Sequence, residues 1–470
     1  MKKNSIAIVG GGVAGASVAL YLSQFKLDIT LFEKESSLVS GPPMCHLHAG
    51  GNLYREIDDK QCIKLLKQSI ELLRFYPHAI DFRPTLLVTP KDDKHQPLDL
   101  LPRLQTLQSE YERLIQEDER NKVLGQSSEY FKIYTQEAFE NLKSQTVKEK
   151  PSTLDEWFIP VAKELNFQDI KFPIIAVQEY GLNVFRIAAS STLRLQEKKS
   201  VKVKTDTFIK KITRTKDGYN INGEKFDYLI NAAGFRSGMI DDMLQIKRKR
   251  LVEFKAAYIC KWDKDKTTTL WPEVIFYGER GTPQGMAQFT PYPDGYFQLH
   301  GMTHEITLFK DGLAKSSADS SQPKLERSFL HKLEKGWHED EVAQRTKTAI
   351  NYLSRFIPSF QNAQVASKPL FGAQQVPGED ITLRASEVSF EDINYARCEI
   401  VKASSILTMA DAITKKLIDL KLLSEDSYGA RNFIDHLDDE TVTKYAKKLC
   451  VERNYPESLA CVNYGVRERI

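Results

Sequence analysis

Nowhere in the 470 residues is there an uninterrupted apolar run near the ~20 residues that a membrane-spanning helix needs, so no candidate span exists. The six cysteines, Cys45, Cys62, Cys260, Cys398, Cys450 and Cys461, show no C-x-x-C spacing, which argues against a disulfide framework and against a zinc site. No metal ligand set is expected. The net charge is only +3, too small for this length to argue for a nucleic-acid partner. No internal repeat or long low-complexity segment is visible. The chain opens directly on a strand, with no room for a signal peptide, and a cytoplasmic location is the expectation. A hydrophobic content of 41% and a charged content of 27% fit a soluble globular protein, and the length suits two or three structural units.

What the chain does have, over residues 5–36, is a complete dinucleotide-binding unit. The apolar run 6–9 reads as a buried parallel strand, and Gly10, Gly12 and Gly15 follow in G-x-G-x-x-G spacing at the mouth of a helix. Gly10 allows a tight turn. Gly12 lets backbone N–H groups reach a pyrophosphate at the positive end of the helix, and Gly15 lets the helix sit close on the strand. Val13 and Ala14 belong to the same phosphate-facing turn. A second strand, 28–32, ends on Glu33, the acid expected to accept from a ribose hydroxyl, and Lys34 follows where an arginine would favour a 2′-phosphate. The unit alone does not choose between FAD and NAD.

Downstream, residues 198–235 read as short strands with turns at Lys216-Asp217-Gly218 and Asn222-Gly223, then a strand over 228–231 and the small-residue turn Ala232-Ala233-Gly234. Only small residues leave backbone room for a dinucleotide there. Leu101, Leu104, Leu107, Tyr111, Leu114 and Ile115 recur at helical spacing and predict an amphipathic helix. Residues 256–262, 273–278, 286–290 and 296–302 read as strands of an antiparallel sheet, 324–356 and 405–420 as helix, and the chain finishes in a polar helical tail.

GGGVAG with FEK at the start, VKVKTDTFIKKI followed by DYLINAAGF, and a C-terminal return together resemble the D-amino-acid-oxidase-like flavoprotein superfamily. Within it the chain is most similar to the malate:quinone oxidoreductase branch. The echoes are HAGGNLYREI, LLVTPKDD with LLPRLQTLQSEYERL, GLNVFRIAASSTLRL, the pair YGERGTPQGM and DGYFQLHGM, and VKASSILTMADAI, in the family's order over most of residues 5–420. The resemblance implies tightly bound FAD, a hydride passed from a substrate C–H to flavin N5, and reoxidation by quinone or oxygen. The implied fold class is α/β: an FAD-binding Rossmann-like domain of the glutathione-reductase type, interleaved with an antiparallel-sheet α+β substrate domain. Residues 1–75, 181–250 and 365–424 are assigned to the first and 76–180 and 251–364 to the second, with a helical tail over 425–470.

The resemblance also assigns positions. The segment 40–52 folds over the pyrophosphate and flavin edge, where Ala49 and Gly50 suit a backbone squeezed against cofactor. Val203 falls on the strand facing the adenine, and Ala233 and Gly234 on a later pyrophosphate contact. Ser404 or Ser405 is a natural N-cap for the helix that follows, whose positive end the family points at flavin N1 and O2. His48 stands where some superfamily members bond a histidine to the flavin, although the malate:quinone branch does not; a covalent bond, a contact and a plain structural role all remain open.

Catalytic candidates come from residues 296–302, where alternation puts Tyr296, Gln298, His300 and Met302 on one face. If that face roofs the flavin, His300 takes the proton of a substrate hydroxyl or amine as the hydride leaves; the alternative is a hydrogen-bonded sheet histidine. A carboxylate-bearing substrate calls for a guanidinium, with Arg186, Arg236, Arg280 and Arg384 as candidates. The family's arginine in the stretch matched by FGAQQVPG is here Gln374 or Gln375, and a charged element after Met286 is absent, departures that count against malate itself. The reading is an FAD-dependent oxidoreductase of a small 2-hydroxy or amino acid. The basic run 247–250 and the basic C-terminal region supply the case for peripheral contact with an anionic membrane face. The rivals are a non-catalytic or regulatory flavin-binding protein and an NAD(P)-using dehydrogenase, although the second nucleotide unit or continuous catalytic domain that the latter needs is missing.

Overall fold

The computed structural model of the chain describes residues 4–40, 55, 57–262, 269–384, 386–427 and 436–462. A six-stranded sheet carries the dinucleotide unit, in the order Val388–Asp392, Tyr395–Cys398, Tyr228–Asn231, Asn4–Val9, Leu27–Phe32, Val201–Lys204. Every neighbouring pair is parallel except the first, which is a hairpin. Alternation sorts its side chains. Ile6 and Ile8 pack under the helices Val13–Leu22, Val184–Gln196 and Ile406–Asp419. Ala7 and Val9 face Ile212, Tyr219 and Phe226 of a separate three-stranded sheet. Both faces are therefore covered, as a parallel sheet of continuous apolar strands requires.

The second sheet has ten strands, and its spine is the long strand Arg250–Lys261. One side of that strand pairs with Tyr296–Gly301, which continues through Ala287–Pro291 and Glu273–Phe276; the other pairs with Leu370–Pro377. Phe254, Phe289, Phe297 and Phe360 fill an aromatic core against the helices on the outer face. The opposite, more polar face looks toward the first sheet. Leu370–Pro377 thus belongs to the substrate sheet, and the chain rejoins the nucleotide-binding sheet only at Val388, later than the expected boundary at 365.

The expected amphipathic helix is Leu101–Glu117, with Leu104, Leu107, Tyr111 and Leu114 buried. The helical expectation over 324–356 resolves into two helices, Arg327–Glu334 and Glu339–Ser354. Gly336 between them takes φ +111, a left-handed conformation that ends the first. Among the described residues, no helix is long and apolar enough to cross a membrane.

A fully buried ionic cluster joins the sheets. Arg397 Nη1 lies 2.6 Å from Asp241 Oδ1, Arg397 Nε donates to Glu399 Oε1 at 2.7 Å, and Arg250 Nη2 is 3.4 Å from Glu399 Oε2. Removing one member of such a cluster strands a charge and costs ~3–5 kcal/mol. The rest of the basic run makes contacts at the surface: Lys247 donates to the Asp319 carbonyl, Arg248 pairs with Glu391, and Lys249 with Glu379.

Candidate functional site

The three glycines do three different things. Gly10 has φ +104, and a Cβ there would meet the Ala232 carbonyl oxygen at 2.4 Å. A Cβ on Gly15 would stand 1.8 Å from the Gly10 carbonyl oxygen, so helix and turn are in direct backbone contact. A Cβ on Gly12 would meet nothing within 4 Å, because that direction opens into a cavity. Gly12 is also the helix N-cap and has no side-chain cap bond, which leaves the positive end of the helix to an anion.

The cavity has a volume of about 1780 Å³ and runs from this turn to the polar face of the second sheet. A single small-molecule pocket occupies ~300–1,000 Å³, so there is room for a dinucleotide with a substrate beyond it. Val13, Ala14, Glu33, Lys34, Ala233 and Gly234 all line it. The Glu33 carboxylate accepts from Gly11 N–H at 2.6 Å and from Glu35 N–H at 2.8 Å. Burial raises its pKa while these two bonds oppose the rise, and a carboxylate with about four lone pairs keeps acceptor capacity for a ribose. The residues present fit FAD: an open glycine cradle, an uncapped helix end and a ribose-facing acid in one cavity.

The wall beyond Glu33 is strained. Val39 has φ +54, an outlier for a β-branched residue that costs on the order of 1–3 kcal/mol. Val39 N–H donates to the Gly11 carbonyl at 2.9 Å, which pins it to the glycine turn. His48, Ala49 and Gly50 lie outside the described residues.

Three expectations about this half of the cavity are corrected. Val203 pairs with Leu31 in the sheet and does not line the cavity; Thr207, Phe208 and Ile209, just after that strand, do. Ser404 lines the cavity, but neither serine caps the helix with its side chain. The helix begins as a 3-10 turn, Ala403–Ser405, with Lys402 in the extended cap position, and the Ser405 hydroxyl donates to Gln68 Oε1 at 3.1 Å. Arg186 is turned away from the cavity. It donates to the His78 carbonyl and pairs with Asp439, and Arg186 Nη1 donates to Thr443 Oγ1 at 2.6 Å, so its guanidinium holds the tail helix Asp439–Glu452 and is not available to a substrate.

At the other end, the cavity floor is a cationic patch. His300 stands opposite Gln288 in the sheet, and Lys255 is one strand away on Arg250–Lys261; all three line the cavity with Arg280, Arg384 and Lys402. Lys255 Nζ lies 2.8 Å from Glu253 Oε2 and donates to Gln374 Oε1 at 2.8 Å. Arg280 also pairs with Glu253. Burial brings the Lys255 ammonium down to about 8; Glu253 opposes the shift, and Arg280 and Arg384 add to it. Burial, then the charges of Lys255, Lys402 and Arg280, hold the His300 imidazole down to about 3, so it is neutral at physiological pH. His300 Nδ1 and both amide atoms of Gln298 have no partner among the described residues. Gln298 is fully buried and outside the cavity lining, one step along the same strand face. Arg236 lines the cavity but pairs with Glu334. Gln375 is occupied by Ser237, Arg250 and the Cys398 carbonyl.

Lys255 and Glu253 escaped the sequence reading, although a charged pair at period two inside the apolar stretch LVEFKAAYICK was a visible signal.

Residues 5–138 match the family described as DAO, FAD dependent oxidoreductase. No curated protein sequence matches the chain. Among solved structures, the L-amino acid deaminase from Proteus vulgaris aligns with a TM-score of 0.55 at 12% identity, covering 94% of this chain and 96% of its own. The glycine oxidase from Geobacillus kaustophilus gives 0.54 at 11%, covering 92% and 100%. The FAD-bound L-alpha-glycerophosphate oxidase from Mycoplasma pneumoniae gives 0.53 at 16%, covering 89% and 95%. These likenesses are of fold, and the cofactor expectation, FAD, agrees with the matched family and with the FAD-bound neighbour.

Proposed function

We propose that the chain is an FAD-dependent oxidoreductase that oxidises a small carboxylate-bearing substrate, a 2-hydroxy acid or an amino acid. The observation that carries this reading is the convergence of Lys255, Arg280 and Lys402 on a neutral His300, at the end of the cavity away from the glycine turn. FAD, bound along the Gly12 and Glu33 end, supplies the hydride acceptor. The substrate carboxylate joins Glu253 on Lys255 and Arg280, and its charge offsets the cations that, after burial, hold His300 down, so the imidazole becomes more basic when the substrate arrives. The imidazole, which lines the cavity, then takes the proton of the hydroxyl or ammonium group. Gln374, one of the two glutamines in the stretch where the resembling family has an arginine, holds Lys255, so a cation is kept at the site on a neighbouring strand. Electrons pass on to quinone or oxygen; the malate:quinone oxidoreductase-like version of the reaction rests on the sequence motifs. Anaerobic titration of the purified protein with 2-hydroxy acids and amino acids tests the reading by flavin bleaching. Bleaching by a carboxylate but not by its amide or ester supports it, and equal bleaching by the neutral analogues overturns it.

A further inference from the structure

The C-terminal tail reaches the dinucleotide end of the cavity through one side chain. Arg453, at the end of the helix Asp439–Glu452, donates from Nη1 to the Val39 carbonyl at 3.0 Å and from Nη2 to the Leu38 carbonyl at 2.7 Å and to Ser37 Oγ at 3.0 Å. Val39 is the residue held at φ +54, and its N–H is the one bound to Gly11 of the glycine turn. A β-branched residue stays in that conformation only where its surroundings over-determine it. Gly11 fixes one peptide group of Val39 and Arg453 the other. Arg453 itself lines the cavity, and its Nε has no partner among the described residues.

We infer that Arg453 is a positioning residue of the cofactor site: it clamps the Ser37–Val39 turn against the glycine turn and so makes the tail a fixed wall of the FAD cavity. The inference rests on the reading of this cavity as the FAD site. The clamp presents two carbonyls and a hydroxyl to a fork of N–H donors, a geometry that lysine does not reproduce.

The test uses the full chain, stripped of flavin and titrated with FAD, with affinity read from quenching of flavin fluorescence and melting of the apoprotein read separately. Arg453→Ala should weaken FAD by about tenfold, within the range found for coupled contacts. Arg453→Lys should fall between it and the wild type. Val39→Gly removes the strain, so in that background Arg453→Ala should weaken FAD by less than about threefold. Equal losses in the two backgrounds, or a lower apoprotein melting temperature with unchanged FAD affinity, would overturn the clamp and leave an ordinary tail contact. Should Arg453→Ala fail to fold, Arg453→Lys in the two backgrounds makes the same comparison. A wild-type protein that binds no FAD would sink the cofactor reading itself, an outcome distinct from a wild type that binds FAD and a variant that binds it equally.

Discussion

Gln374 Oε1 accepts from the Lys255 ammonium at 2.8 Å while Gln374 Nε2 donates to the Val401 carbonyl at 2.9 Å, so one amide ties the lysine on the cavity floor to the loop that carries Lys402. Two cations from separate elements are thereby held at one end of the cavity.

Lys255→Met should raise KM for a carboxylate substrate by roughly 10- to 100-fold with a smaller effect on kcat, the expected cost of one charge-assisted hydrogen bond. Because the ammonium loses its proton near pH 8, substrate affinity should fall as the pH rises through that value. Steady-state kinetics from pH 6 to 10 check both, and a flat KM profile in the wild type would contradict them.

His300→Asn should keep FAD and slow flavin reduction by about 10²- to 10⁴-fold, the usual span for a lost general base. Stability gives an independent reading. The folded pKa lies below the unfolded value of 6.5, so between about 3 and 6.5 the unfolded chain binds more protons, and stability is present above that window and lost as the pH falls through it. The variant should lose part of that acid sensitivity, as measured by denaturant melts at pH 5 and pH 7. Wild-type reduction rates with altered acid stability would make the histidine a structural one.

Gly12 and Gly15 should fail in opposite ways. Gly12→Val, whose side chain points into open cavity, should give a folded protein that purifies without flavin colour. Gly15→Ala, whose Cβ would meet the Gly10 carbonyl at 1.8 Å, should destabilise the fold itself. Thermal melts and flavin absorbance on the two variants separate the effects; a yellow Gly12→Val protein would refute the pyrophosphate assignment.

Arg186→Ala should lower stability by ~3–5 kcal/mol, because Arg186 is 1% exposed and its loss leaves Asp439 beside a buried gap. KM should stay within about threefold of the wild type in protein that remains folded, where a carboxylate-binding arginine would cost far more. A large KM change with unchanged melting would restore Arg186 to the active site.

The nucleotide half of this molecule was legible because its rules are local. Strand, glycines, helix and Glu33 fall within one 32-residue window, 5–36, and each glycine has a backbone reason to be there. The place of His300 on the cavity side of the sheet was legible from alternation along a single strand. What did not show were relations between distant segments: Arg186 and Asp439 are 253 residues apart, and nothing in either neighbourhood announces the other. The helix start near Ser404 misled because a serine before a helical run reads as a cap, while the structure spends Ser405 on Gln68 across the core. Val203 misled for a simpler reason: a matched strand names the neighbourhood of a ligand but not which of its flanking residues reaches the opening.

The strand Asn4–Val9 is made first, yet its sheet is completed by Tyr395–Cys398. Asn4–Val9 has both neighbours once Tyr228–Asn231 is made, but the outer edge of Tyr228–Asn231, which Tyr395–Cys398 covers, waits on the order of ten seconds at ~5–20 residues per second of synthesis. Until then it is an unpaired edge of the kind that recruits chaperones or aggregates. Flavin supplied during synthesis should therefore find no finished seat before Tyr395–Cys398 has been made, and holoprotein yield should depend more on holdase capacity than on flavin supply.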